Sequence, residues 1–203
     1  MKNNIYFIVF ALLFACDSQP PVIQYYKSGE VFIRGEKKDG QLHGKVYIYF
    51  KNGSLNQCGS YIDGIKHGQF VTFYANGQKK DSVYFDKGKE HGLYLYYPDS
   101  IDRYYQKSCF INGKCEGLFI EYFADGSIRD VIEYRNDKPH GWRVEFDQKG
   151  DTVRKGYYEE GNPLFQWNYE NNIIYEFFDD SDKDIKLQEF PKKLEVNCKS
   201  CCK

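Results

Sequence analysis

Four histidines and a Cys-x-x-Cys-Cys run are the residues of this chain that could hold a metal or move a proton. His43, His67, His91 and His140 are its only histidines, and each stands directly before a glycine. Those glycines belong to a series, Gly44, Gly68, Gly92, Gly117 and Gly141, spaced by 24, 24, 25 and 24 residues, with Glu116 in the histidine's place before Gly117. A zinc site needs its ligands within about 2.1 Å of one ion. Successive copies of one slot in stacked hairpins lie about 10 Å apart. One histidine per repeat is therefore a poor way to build a site. The expectation is that His43, His67, His91 and His140 cap tight loops and hold no metal.

The other candidates fare no better. Cys198-x-x-Cys201-Cys202 has the spacing of half a zinc site or a redox pair, but no histidine lies nearby, so an oxidised or idle tail is expected. Asp180-x-Asp182-x-Asp184 resembles the opening of a calcium loop. Its sixth position is Ile185 and its twelfth Pro191, where glycine and glutamate are required. No nucleophile elbow, His-Glu-x-x-His or phosphate-binding glycine loop occurs. The chain is read as no enzyme, with no catalytic residue and no cofactor. Lys and Arg number 28 against 29 Asp and Glu, so no electrostatic case exists for nucleic acid.

A recurrence at this period signals a repeat architecture. The third residue after each marker glycine is Tyr47, Val71, Leu95, Ile120 or Val144, and the fifth is Tyr49, Phe73, Tyr97, Tyr122 or Phe146. The fourth, between them, is Ile48, Thr72, Tyr96, Glu121 or Glu145. Alternation with period two predicts a strand whose third and fifth columns face inward. Asn52-Gly53, Asn76-Gly77, Asp99-Ser100, Asp125-Gly126 and Lys149-Gly150 follow, and predict type I′ hairpin turns. A second strand carries an aromatic at a fixed place, Tyr61, Phe85, Phe110, Tyr134 and Tyr158. A second turn signal closes it at Gly64, Gly88, Gly113, Asp137 and Gly161.

One repeat thus reads as a β-hairpin plus a short loop. Ser28-Gly29 and Asp39-Gly40 mark an N-terminal half repeat. Phe165, Trp167 and Tyr169 fit the inward columns if one loop is a residue shorter, with a last strand over 173–178. The fold expected is all-β, an elongated single-layer antiparallel meander of stacked hairpins with a period of about 24, consistent with 19 Tyr and 16 Phe.

Lys2 precedes an apolar run from Ile5 to Ala15, too short to span a bilayer. It ends in Leu13-Phe14-Ala15-Cys16, followed by polar Asp17-Ser18-Gln19-Pro20. This resembles the lipobox of bacterial lipoproteins, whose cysteine is acylated and becomes the first residue of the mature chain. Residues 1–15 are then a signal peptide, 16–27 a tether, 28–178 the repeats and 179–203 a polar tail with cysteines. The resemblance implies a protein held on a membrane of the bacterial cell envelope through lipid at Cys16. Export permits disulfides among the other six cysteines, but their placement outside the repeat columns argues against a disulfide framework.

Tyr61-x-x-Gly64-x-x-His67-Gly68, then a strand and Tyr74-x-Asn76-Gly77, resembles the MORN repeat. It is most similar to the bacterial MORN repeat variant of the YwqK family, which is often labelled an antitoxin component. The resemblance covers about residues 25–170. It implies protein binding and supplies no catalytic residues. The expected role is a lipid-anchored scaffold for an unidentified protein partner. The alternatives are an antitoxin or immunity protein and a membrane-surface binding module. The expected contact surface is the outward face, through Ile48, Phe70, Tyr94, Tyr96 and Phe119, which is more aromatic than a solvated face requires.

Overall fold

The computed structural model describes residues 21–99, 105–168 and 173–176, the last as backbone. They form one antiparallel sheet of 16 strands. In chain order these are β1 Val22–Tyr25, β2 Val31–Lys38, β3 Gln41–Tyr49, β4 Leu55–Ile62, β5 Ile65–Phe73, β6 Lys79–Asp86, β7 Lys89–Glu90 and β8 Gly92–Tyr96. There follow β9 Tyr105–Ile111, β10 Lys114–Cys115, β11 Gly117–Tyr122, β12 Ile128–Arg135, β13 Lys138–Phe146, β14 Thr152–Glu159, β15 Asn162–Asn168 and β16 Ile173–Glu176. Each strand lies beside its neighbour in sequence, except that the two-residue β7 and β10 sit off the path, paired with β6 and β9. The expected meander is what forms. It begins earlier than expected, because Val22–Tyr25 already pairs with β2 inside the stretch read as tether. Cys16, Tyr169, the Asp180–Asp184 run and the tail cysteines lie outside the described residues.

The two turns of each repeat differ, and the reverse of the expected assignment holds. Asn52, Asn76, Asp125 and Lys149 keep negative φ, while Gly53, Gly77, Gly126 and Gly150 are at 82°, 85°, 86° and 86°. Phe50 N–H donates to the Ser54 carbonyl and Gly53 N–H to the Phe50 carbonyl. This is a type I turn closed by a left-handed glycine, not type I′. Asn52 Oδ1 accepts from Ser54 N–H at 3.0 Å and Asp125 Oδ1 from Ser127 N–H at 2.8 Å, so the Asx side chain holds the turn.

Type I′ geometry occurs at the other edge of the sheet, where both central residues have positive φ. Examples are Asp39-Gly40, Asp63-Gly64, Lys87-Gly88, Asn112-Gly113, Asn136-Asp137 and Glu160-Gly161. These turns need only two residues, so in β3, β5 and β13 the strand runs straight through His-Gly, and elsewhere only His91 separates β7 from β8 and only Glu116 separates β10 from β11. There is no loop before His-Gly.

The marker glycines sit within or directly against the strands, at φ of 76° to 93°. Each makes a bulge, two or more residues opposing fewer on the partner. Around Gly68, for instance, Cys58 pairs with Val71 but Ser60 with His67. Open space surrounds a Cβ built on Gly68, so its requirement is conformational. Gly68→Ala is expected to cost about 1 kcal/mol from the left-handed φ alone. A lowered denaturant midpoint at unchanged slope would show it.

Cross-strand pairing assigns every strand residue to one of two faces. The front face carries the second and fourth residues after each marker glycine, the back face the third and fifth. Burial is not confined to the back, as the alternation had suggested. Val46, Phe70, Val83 and Phe85 are buried on the front; Cys109, Ile120, Val131 and Val144 are buried on the back.

The front face closes over a column of small residues in the alternate strands. Gly35 and Gly59 flank Val46, Phe70 lies on Gly59, and Ser108 stands opposite Tyr94. A Cβ on Gly59 would fall 2.4 Å from the Phe70 ring. That ring, 1% exposed, packs edge-to-face on Tyr61 at 5.5 Å and on Phe85 at 5.0 Å. Lys66 Nζ sits 5.0 Å and 4.7 Å from the two phenylalanine rings. The back face is tied by ring stacks, Tyr97 on Tyr105 and Tyr105 on Tyr122, with centroids 5.8 Å and 4.6 Å apart.

Candidate functional site

The histidine slot is a brace between repeats. The bulge at each His-Gly turns outward the carbonyl of the residue before the histidine. There it accepts a bond from the second residue of the next type I′ turn. Gly64 N–H donates to Leu42, Gly88 to Lys66, Gly113 to Glu90, Asp137 to Cys115 and Gly161 to Pro139, at 2.7–3.1 Å. These donors are the amides that a two-residue hairpin leaves without a ladder partner.

At two of the five slots a side chain adds to the backbone bond. His43 Nδ1 lies 3.2 Å from Asp63 Oδ1, whereas His67 to Asp86 and His140 to Glu160, at 3.9 Å and 3.7 Å, are beyond hydrogen-bond reach, and Nδ1 of His91 and of His140 finds no hydrogen-bond partner. Glu116, in the same slot, takes the Asn136 amide directly at 2.8 Å. All these groups flank tight turns one repeat further on. Among the described residues no three of His, Cys, Asp and Glu converge as a metal ion would need.

The five residues expected to form an outward contact surface do share one face, the front, but that face is itself packed around Phe70. Phe70 is at the centre of the core. Tyr94 packs against that core and on Phe110 at 5.8 Å, and burial pushes its hydroxyl up to about 12. Tyr96 accepts the Tyr74 hydroxyl at 3.2 Å, Phe119 leans on Tyr134 at 5.6 Å, and Ile48 is half-buried between Ile33 and Gln57. The assignment of Phe70 and Tyr94 to a free binding face is therefore corrected. The glycines and Ser108 in neighbouring strands let these rings lie down against the backbone. Those small residues, Gly35 and Gly59 above all, were the signal in the sequence, standing 24 residues apart.

Toward the C-terminal end the front face becomes ionic. The slot of Phe70 and Phe119 is filled by Arg143. Its guanidinium reaches Asp130 through Nη2 at 2.9 Å and Nε at 3.3 Å, and Glu145 through Nη2 at 2.8 Å. Arg154 reaches Glu145 at 3.0 Å and Arg129 reaches Glu121 at 2.8 Å. Asp130 is only 6% exposed, and burial pushes its carboxyl up, against the pull of Arg143.

Arg143→Met would leave that carboxylate covered without the cation bonded to it, and with only the more remote Arg129 nearby. A raised folded-state pKa means the native state keeps a proton that the unfolded chain has released. Stability is then lost as pH rises through that window and recovered as it falls. The variant is expected to lose about 1–3 kcal/mol at pH 7, discounted because Arg143 is partly solvated. It should lose much less near pH 4. Urea unfolding at the two pH values checks this.

Large exposed apolar side chains gather elsewhere. Ile62 and Ile65 pair across the Asp63-Gly64 turn on the back face, with Ile65 52% exposed. The Ile65 methyl reaches over the next turn at Gly88, and exposed Tyr84 stands beside His67 with centroids 6.3 Å apart. A second group, Ile23, Tyr25 and Phe32, lies on the β1–β2 hairpin.

Residues 42–63, 66–87 and 151–171 match the model of the MORN repeat variant family. The first two segments start at the residue whose carbonyl accepts the brace and end at the first residue of the turn that is braced. The first two matched units are thus bracing units, and the chain is an antiparallel β-sheet that carries MORN-variant repeats. No curated protein matches the chain.

Proposed function

We propose that this chain is a non-enzymatic scaffold, held on a membrane of the cell envelope by lipid at Cys16, that binds a protein partner. The observation that carries the binding role is the back-face patch of Ile62, Ile65 and Tyr84, three large side chains left exposed on the adjoining strands β4, β5 and β6. Such surface mixed with polar neighbours is the ordinary mark of an interaction site. The absence of an enzymatic role is supported by the use made of the groups that could do chemistry. His43 and Glu116 hold turns, and Asp130, Arg143 and Glu145 hold one another. The Leu13-Phe14-Ala15-Cys16 run supports the anchor.

Two experiments test the reading. Cys16→Ser should move the protein into soluble fractions and abolish acyl-chain labelling. A variant that stays on the membrane and still takes up labelled fatty acid sinks the anchor. Photo-crosslinkers placed around Ile65 should give one dominant adduct in envelope fractions. That adduct should vanish with Ile65→Asp, at an unfolding midpoint near the parent's. An adduct pattern unchanged by Ile65→Asp means that the patch is not the contact surface.

A further inference from the structure

Ile23, Tyr25 and Phe32 are exposed, Tyr25 by 60%. The register gathers them. Ile23 pairs with Arg34, alternation places Tyr25 with Ile23 and Phe32 with Arg34, and a bulge at Gln24/Tyr25 sets Phe32 into the gap. The patch is rigid. Phe32 packs edge-to-face on Tyr26 at 5.0 Å, and Tyr26 is fixed by its hydroxyl donating to the Tyr49 carbonyl at 2.8 Å. Exposed Lys27, Arg34 and Lys51 accompany it, with Lys51 Nζ 5.7 Å from the Tyr26 ring. The opposing charge is Glu30, whose carboxyl is held below its usual range first by Ser28 and least by Lys51.

Ile23 is seven residues from Cys16, a reach of at most about 25 Å when fully extended. From this placement we infer that the Ile23–Tyr25–Phe32 patch rests in the headgroup layer of the membrane that carries the anchor. The inference depends on lipidation of Cys16. Apolar and aromatic rings beside lysine and arginine suit a surface that is apolar below and anionic above. The sheet then runs outward from the membrane. The Ile62–Ile65–Tyr84 patch lies two to five strands further on, about 10–25 Å along the sheet.

The test uses the full lipidated protein in vesicles of phosphatidylethanolamine and phosphatidylglycerol, with brominated acyl chains as the quencher. The native indoles Trp142 and Trp167 lie ten and twelve strand positions from β1, about 50 Å or more along the sheet, so the parent should show no quenching. Tyr25→Trp should add emission that bromolipid lowers about twofold, and Arg34→Glu in that background should weaken the effect. Acyl labelling of the same sample separates the two failures. An unlabelled protein overturns the anchor. A labelled protein whose added indole is untouched by bromolipid and open to iodide overturns the membrane contact. One untouched by bromolipid yet shielded from iodide also overturns it, and gives the patch to a protein or a second copy.

Discussion

Phe70→Ala should remove about 3–5 kcal/mol of stability, the largest loss expected of any single truncation in this sheet. Phe70 is the most enclosed large side chain, held between Tyr61, Phe85 and the Gly59 backbone. A single layer has no second sheet to fall into the vacated space, so collapse around the void is limited. Truncations of Phe73, Tyr97 or Tyr122, which are half-buried on the back, should cost less. Equal losses at positions 70 and 73 in urea titrations would mean that the front face is not the better packed of the two there.

Gly59→Ala should cost about 1–3 kcal/mol although it adds one methyl. The methyl carbon would sit 2.4 Å from two atoms of the Phe70 ring, and the ring is pinned by Phe85 and Tyr61, so either it or strand β4 must shift. The φ of Gly59 is not left-handed, which separates this steric cost from the conformational one at Gly68. The two large effects are therefore coupled. In a Phe70→Ala background the same glycine change should cost far less, with a coupling energy of about 1–2 kcal/mol. Additive losses would place the ring away from Gly59.

The sheet and its strand order were legible because the period and the turn residues recur. Even the one-residue shortening before Trp167 was readable, and Lys155 pairs with Trp167 as it requires. Three things were not. Asn-Gly and Asp-Gly suit both type I′ turns and the left-handed glycine of a type I turn, so the pair alone did not choose. The decision lay in Asp39, Asp63 and Asn112 at the opposite edge, which tolerate positive φ, and Lys87 adopts it without any such signal.

A glycine after histidine reads as a loop, yet it bulges a continuing strand. The faces were judged from three columns only. From the second column Phe70, Tyr94 and Phe119 were assigned to the outward contact surface, without Val46 and Arg143 and without the small residues that the column covers. Charge at Glu121 and Glu145 read as solvation, whereas Arg129, Arg143 and Arg154 occupy those carboxylates.

The brace at each His-Gly has a kinetic consequence. The accepting carbonyl of Leu42 precedes the Gly64 amide by 22 residues, and the Tyr26 hydroxyl reaches only 23 residues ahead, to Tyr49. Among the described residues, the braces between repeats join parts of the chain made in close succession. Sheets usually form slowly because distant segments must meet first. Here an N-terminal hairpin offers its finished edge, and its waiting acceptor, to the next hairpin as that one emerges. Folding should advance like a zip with a low contact order, faster than an all-β chain of this length normally allows. A missing repeat should slow only the step at which it would have been added.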